Sequence, residues 1–279
     1  MKVLITGSSG QIGTNLALSL MNRGDQVVGI DRRPNNWTDK IETVEIDLLT
    51  TNSKDFPKGS FDIVVHLAAH AKVFELVENP DRALENVKSC FNVLDYARQK
   101  KIPLIFGSSR EVYGDIHRHV TDEEAADFVV AESPYSASKI AGEAFIYSYA
   151  ECYNLPYLVF RFSNVYGRYD NDIDRMERVL PLFINEIAND RLIVVYGKEK
   201  MFDFTYIDDC IEGVVQGIDA LVSGKVSNQT INIAFGQGNT LIDAVNIISL
   251  ALGKNPKVTY ESARPGEVMR YVADISKAR

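Results

Sequence analysis

The chain has 279 residues, of which 46% are hydrophobic and 24% are charged, and its formal net charge is −8. This composition excludes a disordered or fibrous chain, and the length is sufficient to bury a core without disulfides or metal ions. Nucleic acid and anionic membranes attract clustered Lys and Arg, so the acidic balance argues against both as main partners. We therefore expect no nucleic-acid and no membrane partner.

The three cysteines, Cys90, Cys152 and Cys210, lie far apart and form neither a metal-ligand nor a redox spacing. We predict no metal site and a reducing, cytoplasmic location. No apolar run approaches the ~18 residues of a membrane span.

Short apolar runs and helical patterns alternate along the first half of the chain. Strands that alternate with helices form βαβ units with a parallel sheet. Because such crossovers are right-handed, we predict an α/β fold with a doubly wound parallel sheet. The predicted strands are residues 2–6, 26–31, 43–46, 61–67, 103–108 and 157–162, and the predicted helices are 11–22, 82–99 and 135–154.

The later part of the chain has a different texture. Residues 168–178 are polar and carry both charge signs. A strand at 229–234, a turn at 236–239 and a helix at 241–252 come later. We interpret this part as a smaller α+β region that binds substrate and is interleaved with returns to the main sheet.

A glycine pattern follows the first predicted strand and opens the first predicted helix. Gly7, Gly10 and Gly13 are spaced as GxxGxxG, whereas the usual dinucleotide fingerprint is GxGxxG. Glycines here let the backbone approach a pyrophosphate, and the helix start supplies free N–H groups and a positive dipole end. We interpret the segment as a phosphate-binding loop, with ordinary turn formation and helix–strand packing as the alternative.

Asp31 ends the second predicted strand, 18 residues after Gly13. A carboxylate at this place accepts hydrogen bonds from both ribose hydroxyls of NAD and repels the 2′-phosphate of NADP. Arg32 and Arg33 follow directly and keep NADP open as an alternative. A turn residue at a strand end is the structural alternative.

Tyr135 and Lys139 are four residues apart in a predicted helix, so they share one face. A free tyrosine has a pKa near 10. A nearby lysine cation and an oxidised nicotinamide both favour the phenolate, which would make Tyr135 a usable general base. Ser109 ends the fifth predicted strand, at the edge where open α/β sheets bind ligands, and its hydroxyl could assist Tyr135. An amphipathic helix and a strand-terminal cap are the structural alternatives.

These residues belong to a set of ordered motifs. Together the motifs resemble the extended short-chain dehydrogenase/reductase family, in particular its nucleotide-sugar epimerases and dehydratases of the UDP-glucose 4-epimerase-like type. The resemblance covers nearly the whole chain. The motifs are residues 6–13, Asp31, residues 66–69 (HLAA), 108–114 (SSREVYG), 135–139 (YSASK) and 161–167 (RFSNVYG).

The resemblance implies a Rossmann sheet, tightly held NAD, a nucleoside-diphosphate sugar as substrate, and a homodimer built from helices 82–99 and 136–154. It divides the chain into an NAD-binding Rossmann domain (1–165 and 203–235) and a substrate-binding region (166–202 and 236–279). The activity that it implies is 4-epimerisation through a transient 4-keto sugar, with hydride passed to and from NAD.

The resemblance also assigns roles to residues. Tyr135 is the base, Lys139 anchors the ribose and stabilises the phenolate, and Ser109 pairs with the reacting hydroxyl. Asn164 and Arg264 match the residues that bind the substrate diphosphate. The implied cofactor-binding residues are Gly7, Gly10, Gln11, Ile12, Gly13, Asp31, Asp47, Leu48, Ala68, Ala69, Asn86, Tyr135 and Lys139.

Two departures from the family pattern bear on the chemistry of the site. Dehydratases of the family carry an acid and then a glutamate after the catalytic hydroxyl residue, whereas this chain has Arg110 and then Glu111. An arginine stays charged and cannot donate the proton for water loss. We therefore favour epimerisation, with a dehydratase or decarboxylase that uses Glu111 as a catalytic base, an NADP-linked reductase, or a non-catalytic NAD(H) sensor as alternatives. Phe202 stands where the family usually has an arginine, which removes one diphosphate contact.

Overall fold

The computed structural model describes residues 1–52, 54–113, 131–170, 178–263 and 268–279. Its strands and helices alternate along the first half of the chain, as expected for βαβ units. The strands are β1 (Lys2–Thr6), β2 (Gln26–Asp31), β3 (Thr43–Glu45), β4 (Ile63–His66), β5 (Leu104–Ser109), β6 (Tyr157–Phe162), β7 (Val165–Tyr166), β8 (Leu192–Tyr196), β9 (Met201–Asp203), β10 (Thr205–Tyr206), β11 (Gln229–Ile233), β12 (Gly238–Thr240) and β13 (Lys257–Glu261). The helices are α1 (Gln11–Asn22), α2 (Val73–Glu78), α3 (Asp81–Lys100), α4 (Pro134–Tyr153), α5 (Val179–Ala188), α6 (Ile207–Val222) and α7 (Leu241–Leu252), and a 3₁₀ turn spans Arg110–Tyr113.

Seven strands form one sheet in the order β11-β6-β5-β4-β1-β2-β3, and all of its neighbouring pairs are parallel. The strand order reverses between β1 and β4, which opens a crevice at the carboxyl ends of the strands. The predicted doubly wound fold is therefore confirmed. The strands and helices predicted for the first half are present, with ends displaced by at most two residues.

Helices cover both faces of the sheet. Successive side chains of a strand point to opposite faces, and the apolar ones on each face pack against helices. Leu4 and Ile5 are neighbours in β1, and both are fully buried. Leu4 belongs to the core that includes Leu94 of α3, whereas Ile5 belongs to the core that includes Leu16 of α1 and Ile218 of α6. The near-continuous apolar strands thus reflect burial on both sides.

The later part of the chain adds three two-stranded sheets: β7 with β10, β9 with β12, and β8 with β13. Helices α5 and α7 pack with β8 in a separate hydrophobic cluster that includes Phe183, Val195 and Leu241. The division into two domains stays a prediction. Among the residues that the structure describes, no helix combines the length and the apolar character needed to cross a membrane.

Candidate active site

A cleft of about 480 Å³ lies at the carboxyl ends of the parallel strands. Its walls come from the β1–α1 loop, the ends of β2, β4 and β5, the start of α4, and the segment after β6. The structure brings together sixteen of the predicted site residues here, and Arg264 lies outside the described residues. The sixteen are Gly7, Gly10, Gln11, Ile12, Gly13, Asp31, Asp47, Leu48, Ala68, Ala69, Asn86, Ser109, Glu111, Tyr135, Lys139 and Asn164.

The glycine loop has a geometry that larger residues could not adopt. Gly7 has a φ of +76°, and a Cβ there would lie 2.7 Å from the Ala68 backbone nitrogen. A Cβ on Gly13 would lie 2.1 Å from the Gly7 carbonyl oxygen. Helix α1 begins after Gly10, which has no side chain to cap it, and residues of its first turn line the cleft. The loop therefore fits a bound pyrophosphate.

The Asp31 carboxylate is held by two backbone N–H groups, one of them in the same loop. It accepts hydrogen bonds from the backbone nitrogens of Ser9, at 3.1 Å, and Arg33, at 3.2 Å. Each carboxylate oxygen has further acceptor capacity, which is available to ribose hydroxyls. The structural and the cofactor-binding interpretations of Asp31 are therefore compatible. Arg32 and Arg33 also line the cleft.

Tyr135 and Lys139 lie one turn apart at the start of α4, and both side chains are buried. Ser133 and Ser136 form a reciprocal capping box, which defines the first turn of this helix. The Lys139 Nζ donates a hydrogen bond of 2.7 Å to the Gly107 carbonyl oxygen. The same nitrogen lies 5.7 Å from the centre of the Tyr135 ring.

The electrostatics of this pair differ from the expectation that Lys139 lowers the pKa of Tyr135. Burial raises the pKa of Tyr135 to about 12, with a hydrogen bond to Ser109 as the largest opposing effect. Burial also lowers the pKa of Lys139 to about 8. The effect of desolvation on the phenol therefore outweighs that of its neighbours, and the chain's own groups keep Tyr135 protonated at neutral pH.

Arg110 and Glu111 continue from Ser109 into the cleft. An Arg110 Nη2 contact of 2.9 Å to Glu111 Oε1 joins the two side chains. The Glu111 backbone nitrogen donates to the Ser109 hydroxyl at 3.2 Å. Glu111 raises the pKa of Tyr135 and Arg110 lowers it, so both charges act on the phenol. A carboxylate and a guanidinium thus flank the predicted base.

The two predicted asparagines hold neighbouring segments together. The Asn86 amide donates to the Ser138 hydroxyl at 3.2 Å and so links α3 to the start of α4. The Asn164 amide donates to the Asp203 carbonyl oxygen at 3.2 Å, and its backbone adopts a φ of +35°. Both residues line the cleft, and their contacts with cofactor or substrate stay predictions.

A buried network behind the cleft was not predicted from the sequence. Glu143 of α4 accepts two hydrogen bonds from Arg161 of β6, at 3.0 and 2.7 Å, and also accepts from the Ser108 and Tyr147 hydroxyls. An arginine near the end of an otherwise apolar strand is the signal that could have found it, because a buried charge needs an opposite charge nearby.

A second missed residue is Arg178, at the mouth of the cleft. Its Nη1 donates to the Gln11 side-chain oxygen at 2.6 Å and to the Val165 carbonyl oxygen at 3.0 Å, and lies 3.2 Å from an Asp170 oxygen. The polar composition of residues 168–178 is the only sequence signal for it.

Curated proteins of known family resemble this chain over nearly its whole length. The profile of the family described as "NAD dependent epimerase/dehydratase family" matches residues 3–234. Protein CapI of Staphylococcus aureus is 30% identical, with 99% of this chain and 90% of that protein covered. UDP-glucuronate 4-epimerase 1 of Arabidopsis thaliana is 30% identical, with 99% and 71% covered. dTDP-glucose 4,6-dehydratase of Escherichia coli is 27% identical, with 100% and 87% covered.

Solved structures agree with this result. The UDP-glucose 4-epimerase of Thermus thermophilus, a complex with NAD, has a TM-score of 0.88 at 26% identity and covers 100% of this chain and 92% of its own. The UDP-glucose 4-epimerase of Thermotoga maritima, with UDP-glucose, has a TM-score of 0.91 at 25% identity, with 100% and 91% covered. The predicted cofactor, NAD, is confirmed, and the glycine loop and Asp31 are the features of this chain that fit it.

Proposed function

This chain belongs to the NAD dependent epimerase/dehydratase family, and on that premise we propose that it is a nucleotide-sugar 4-epimerase that acts through a transient 4-keto sugar. One observation carries the proposal: the buried Tyr135 phenol, the Ser109 hydroxyl and the Lys139 ammonium line the same cleft as the glycine loop. The family membership supports an enzyme that acts on nucleotide sugars. That the reaction is a 4-epimerisation is our proposal.

Each residue of this group has a proposed part in the reaction. When bound, NAD would supply first the acceptor and then the donor of the C4 hydride, together with an oxidised, positively charged ring. Tyr135 takes the proton of the sugar 4-hydroxyl and gives it back, and Ser109 orients that hydroxyl. Lys139, fixed by Gly107, presents a cation beside the phenol. Since the chain by itself holds the pKa of Tyr135 at about 12, we expect the phenolate to form only in the loaded site.

A dehydratase or a uronate decarboxylase is the second candidate. Glu111 favours it, because this buried carboxylate lies close enough to Tyr135 to raise its pKa and could remove a proton from C5. A dehydratase is also among the similar proteins. Against it stands Arg110, which is in contact with Glu111 and cannot donate a proton for water loss. A non-catalytic sensor is less consistent with the buried Tyr135 and Lys139.

The reaction is tested by product analysis. The NAD-loaded protein is incubated with a panel of UDP- and dTDP-sugars, and products are read by NMR. We expect a 4-epimer from at least one member of the panel. A 4-keto-6-deoxy sugar or a pentose would instead support the Glu111 chemistry, and no change in any sugar would contradict an enzyme of this class.

The Glu111→Gln variant separates the two enzyme candidates. It keeps the size of the side chain and removes its charge. We expect the rate of epimerisation to stay within about tenfold of that of the native protein, since Glu111 takes no part in the proton transfer of that reaction. Near-total loss of turnover with NAD still bound would contradict our preference for epimerisation.

We also propose a homodimer formed by α3 and α4. Large apolar side chains are exposed on these helices, including Leu84, which is 69% exposed, and the neighbouring Phe91 and Phe145, whose ring centres are 6.1 Å apart. A two-fold axis would bury the same surface on both copies. Light scattering after size-exclusion chromatography should give a dimer for the native chain, a monomer for Phe91→Glu, and a dimer for the control Phe235→Glu. A monomeric native protein would contradict the proposal.

The cytoplasmic location is likewise a proposal. Cys90, Cys152 and Cys210 are all free thiols, as expected in a reducing compartment.

A further inference from the structure

Arg110 has a charged donor without a partner in the described part of the chain. Its Nη1 atom is buried and makes no hydrogen bond. A guanidinium does not lose its proton in a protein, so the charge cannot be removed by titration. Leaving a charged donor unpaired in a poorly solvated place is unfavourable, and such groups in native proteins are often functional.

The rest of the Arg110 side chain is held in place. Its Nη2 lies 2.9 Å from Glu111 Oε1, and its guanidinium carbon lies 4.9 Å from the centre of the Phe202 ring and 5.6 Å from that of Tyr271. The carboxylate and the two rings come from different segments and together fix the guanidinium plane. A donor fixed in this way binds an acceptor with little further loss of side-chain entropy.

Two other cations at the catalytic end of the cleft already donate to protein oxygens, and Arg264 lies outside the described residues. The Lys139 ammonium donates to the Gly107 carbonyl oxygen, and Arg178 donates to Gln11 and to Val165. Arg32 and Arg33 follow Asp31 at the opposite end. Position 202 is a phenylalanine and supplies no charge. Arg110 therefore combines a place in the cleft wall with an unused donor.

We propose that Arg110 is an anion-binding residue of the substrate site and that it holds a phosphate or carboxylate oxygen of the nucleotide sugar. This inference rests on the proposed function and extends it to a specificity-determining residue. The protein has a formal net charge of −8, so an anionic substrate needs local positive charge to be held. Arginine suits both oxygen anions, because its planar fork matches their geometry.

Two groups of the substrate could supply the oxygen. One is the diphosphate, which every nucleotide sugar carries. The other is the carboxylate of a uronic acid, which only some of them carry. The two sources predict different patterns of binding, so ligands that differ only in the sugar can separate them.

The test measures binding to the NAD-loaded protein by calorimetry with UDP, UDP-glucose and UDP-glucuronate, and with the dTDP analogues of the first two. Arg110→Gln removes the charge, and Arg110→Lys keeps the charge but loses the fork. Arg191→Gln is the matched control, since Arg191 is exposed and pairs with Glu186 outside the cleft. The thermal midpoint and NAD content of each variant are measured alongside.

We expect Arg110→Gln to weaken binding about ten- to a hundredfold, which is the usual range for a hydrogen bond to a charged group. Equal weakening of all ligands identifies the diphosphate, and weakening of UDP-glucuronate alone identifies the carboxylate. If Arg110→Gln does not fold, the affinity of Arg110→Lys decides, and a fall of about threefold or more is expected.

Unchanged affinity for every ligand, with the Arg191 control equally unchanged, would overturn the assignment of Arg110 and leave the proposed function intact. A fall in thermal midpoint without a fall in affinity would do the same, because it would show a structural role. If the native protein binds none of the nucleotides, the proposed function itself fails, and the assignment of Arg110 fails with it.

Discussion

Two largely buried arginine–glutamate pairs stand out among the described residues, one behind the cleft and one in its wall. Arg161 contacts both oxygens of Glu143 through two nitrogens, at 3.0 and 2.7 Å. Arg110 makes one contact of 2.9 Å to Glu111, and its Nη1 has no partner among the described residues. In the first pair two guanidinium nitrogens bind the two carboxylate oxygens. In the second pair Nη1 of Arg110 remains available to a ligand.

The comparison of the two pairs shows that burial alone does not tell a charge that stabilises the fold from a charge that binds a ligand. Both pairs are nearly inaccessible to solvent, and both guanidinium groups lie over an aromatic ring, Tyr113 or Phe202. What distinguishes them is the number of donors that have an acceptor. We therefore expect changes behind the cleft to reduce stability and changes in its wall to reduce binding or turnover.

The largest expected effect on activity comes from Tyr135→Phe. Removing a general base usually lowers the rate by about 10²–10⁴-fold. Since the proposed role of Tyr135 is chemical, the thermal midpoint should change little. Tyr153→Phe is the matched control, because Tyr153 is exposed and outside the cleft. Full activity of Tyr135→Phe in a steady-state assay would refute the proposed base.

The largest expected effect on stability comes from Glu143→Ala. This change leaves Arg161 buried without its partner, and the free energy of unfolding should fall by about 3–5 kcal/mol. Glu186→Ala is the control, since its partner Arg191 is exposed and such pairs contribute about 0–1 kcal/mol. Urea denaturation measures both. Equal losses in the two variants would mean that the buried pair has no special structural weight.

His66, at the carboxyl end of β4, should make the free energy of unfolding depend on pH in acid. Burial lowers the pKa of His66 to about 3, so between pH 6.5 and about 3 the unfolded chain binds a proton that the folded chain does not. Stability from this group is present above pH 6.5 and is lost as the pH falls, by at most about 1.4 kcal/mol per pH unit. His66→Asn should have a shallower loss in pH-dependent urea denaturation. Identical slopes for the two proteins would contradict this assignment.

The smallest effect is expected at the opposite end of the cleft, from Asp31→Asn. The amide oxygen still accepts hydrogen bonds, but the charge that repels a 2′-phosphate is gone. We expect the preference for NAD over NADP to fall by about tenfold, measured by fluorescence titration. An unchanged preference would assign the discrimination to Arg32 and Arg33 instead.

The parts of the cleft also differ in how well they could be predicted from the sequence. The glycine loop, Asp31 and the pair of Tyr135 and Lys139 are local patterns, and each is defined by spacing along one segment. Their convergence follows from the parallel sheet, whose strands all end at one edge. The sequence therefore predicts that these residues meet at one cleft, whereas their roles stay predictions.

The surroundings of Arg110 could not be predicted in the same way. Its guanidinium lies against Phe202 and Tyr271, which come from distant segments brought together by the short sheets of the later chain. No spacing rule links three such positions. The rise of the Tyr135 pKa also depends on burial, which a helical spacing does not reveal.

The central claim is tested most directly by following the hydrogen on C4 of the sugar. The UDP-sugar that the enzyme converts is deuterated at C4 and incubated in ordinary water, and the product is analysed by NMR and mass spectrometry. We predict a 4-epimer that retains deuterium at C4 and gains no hydrogen from solvent at any carbon. A product that has lost the label from C4, or has taken up solvent hydrogen at C5, would contradict 4-epimerisation.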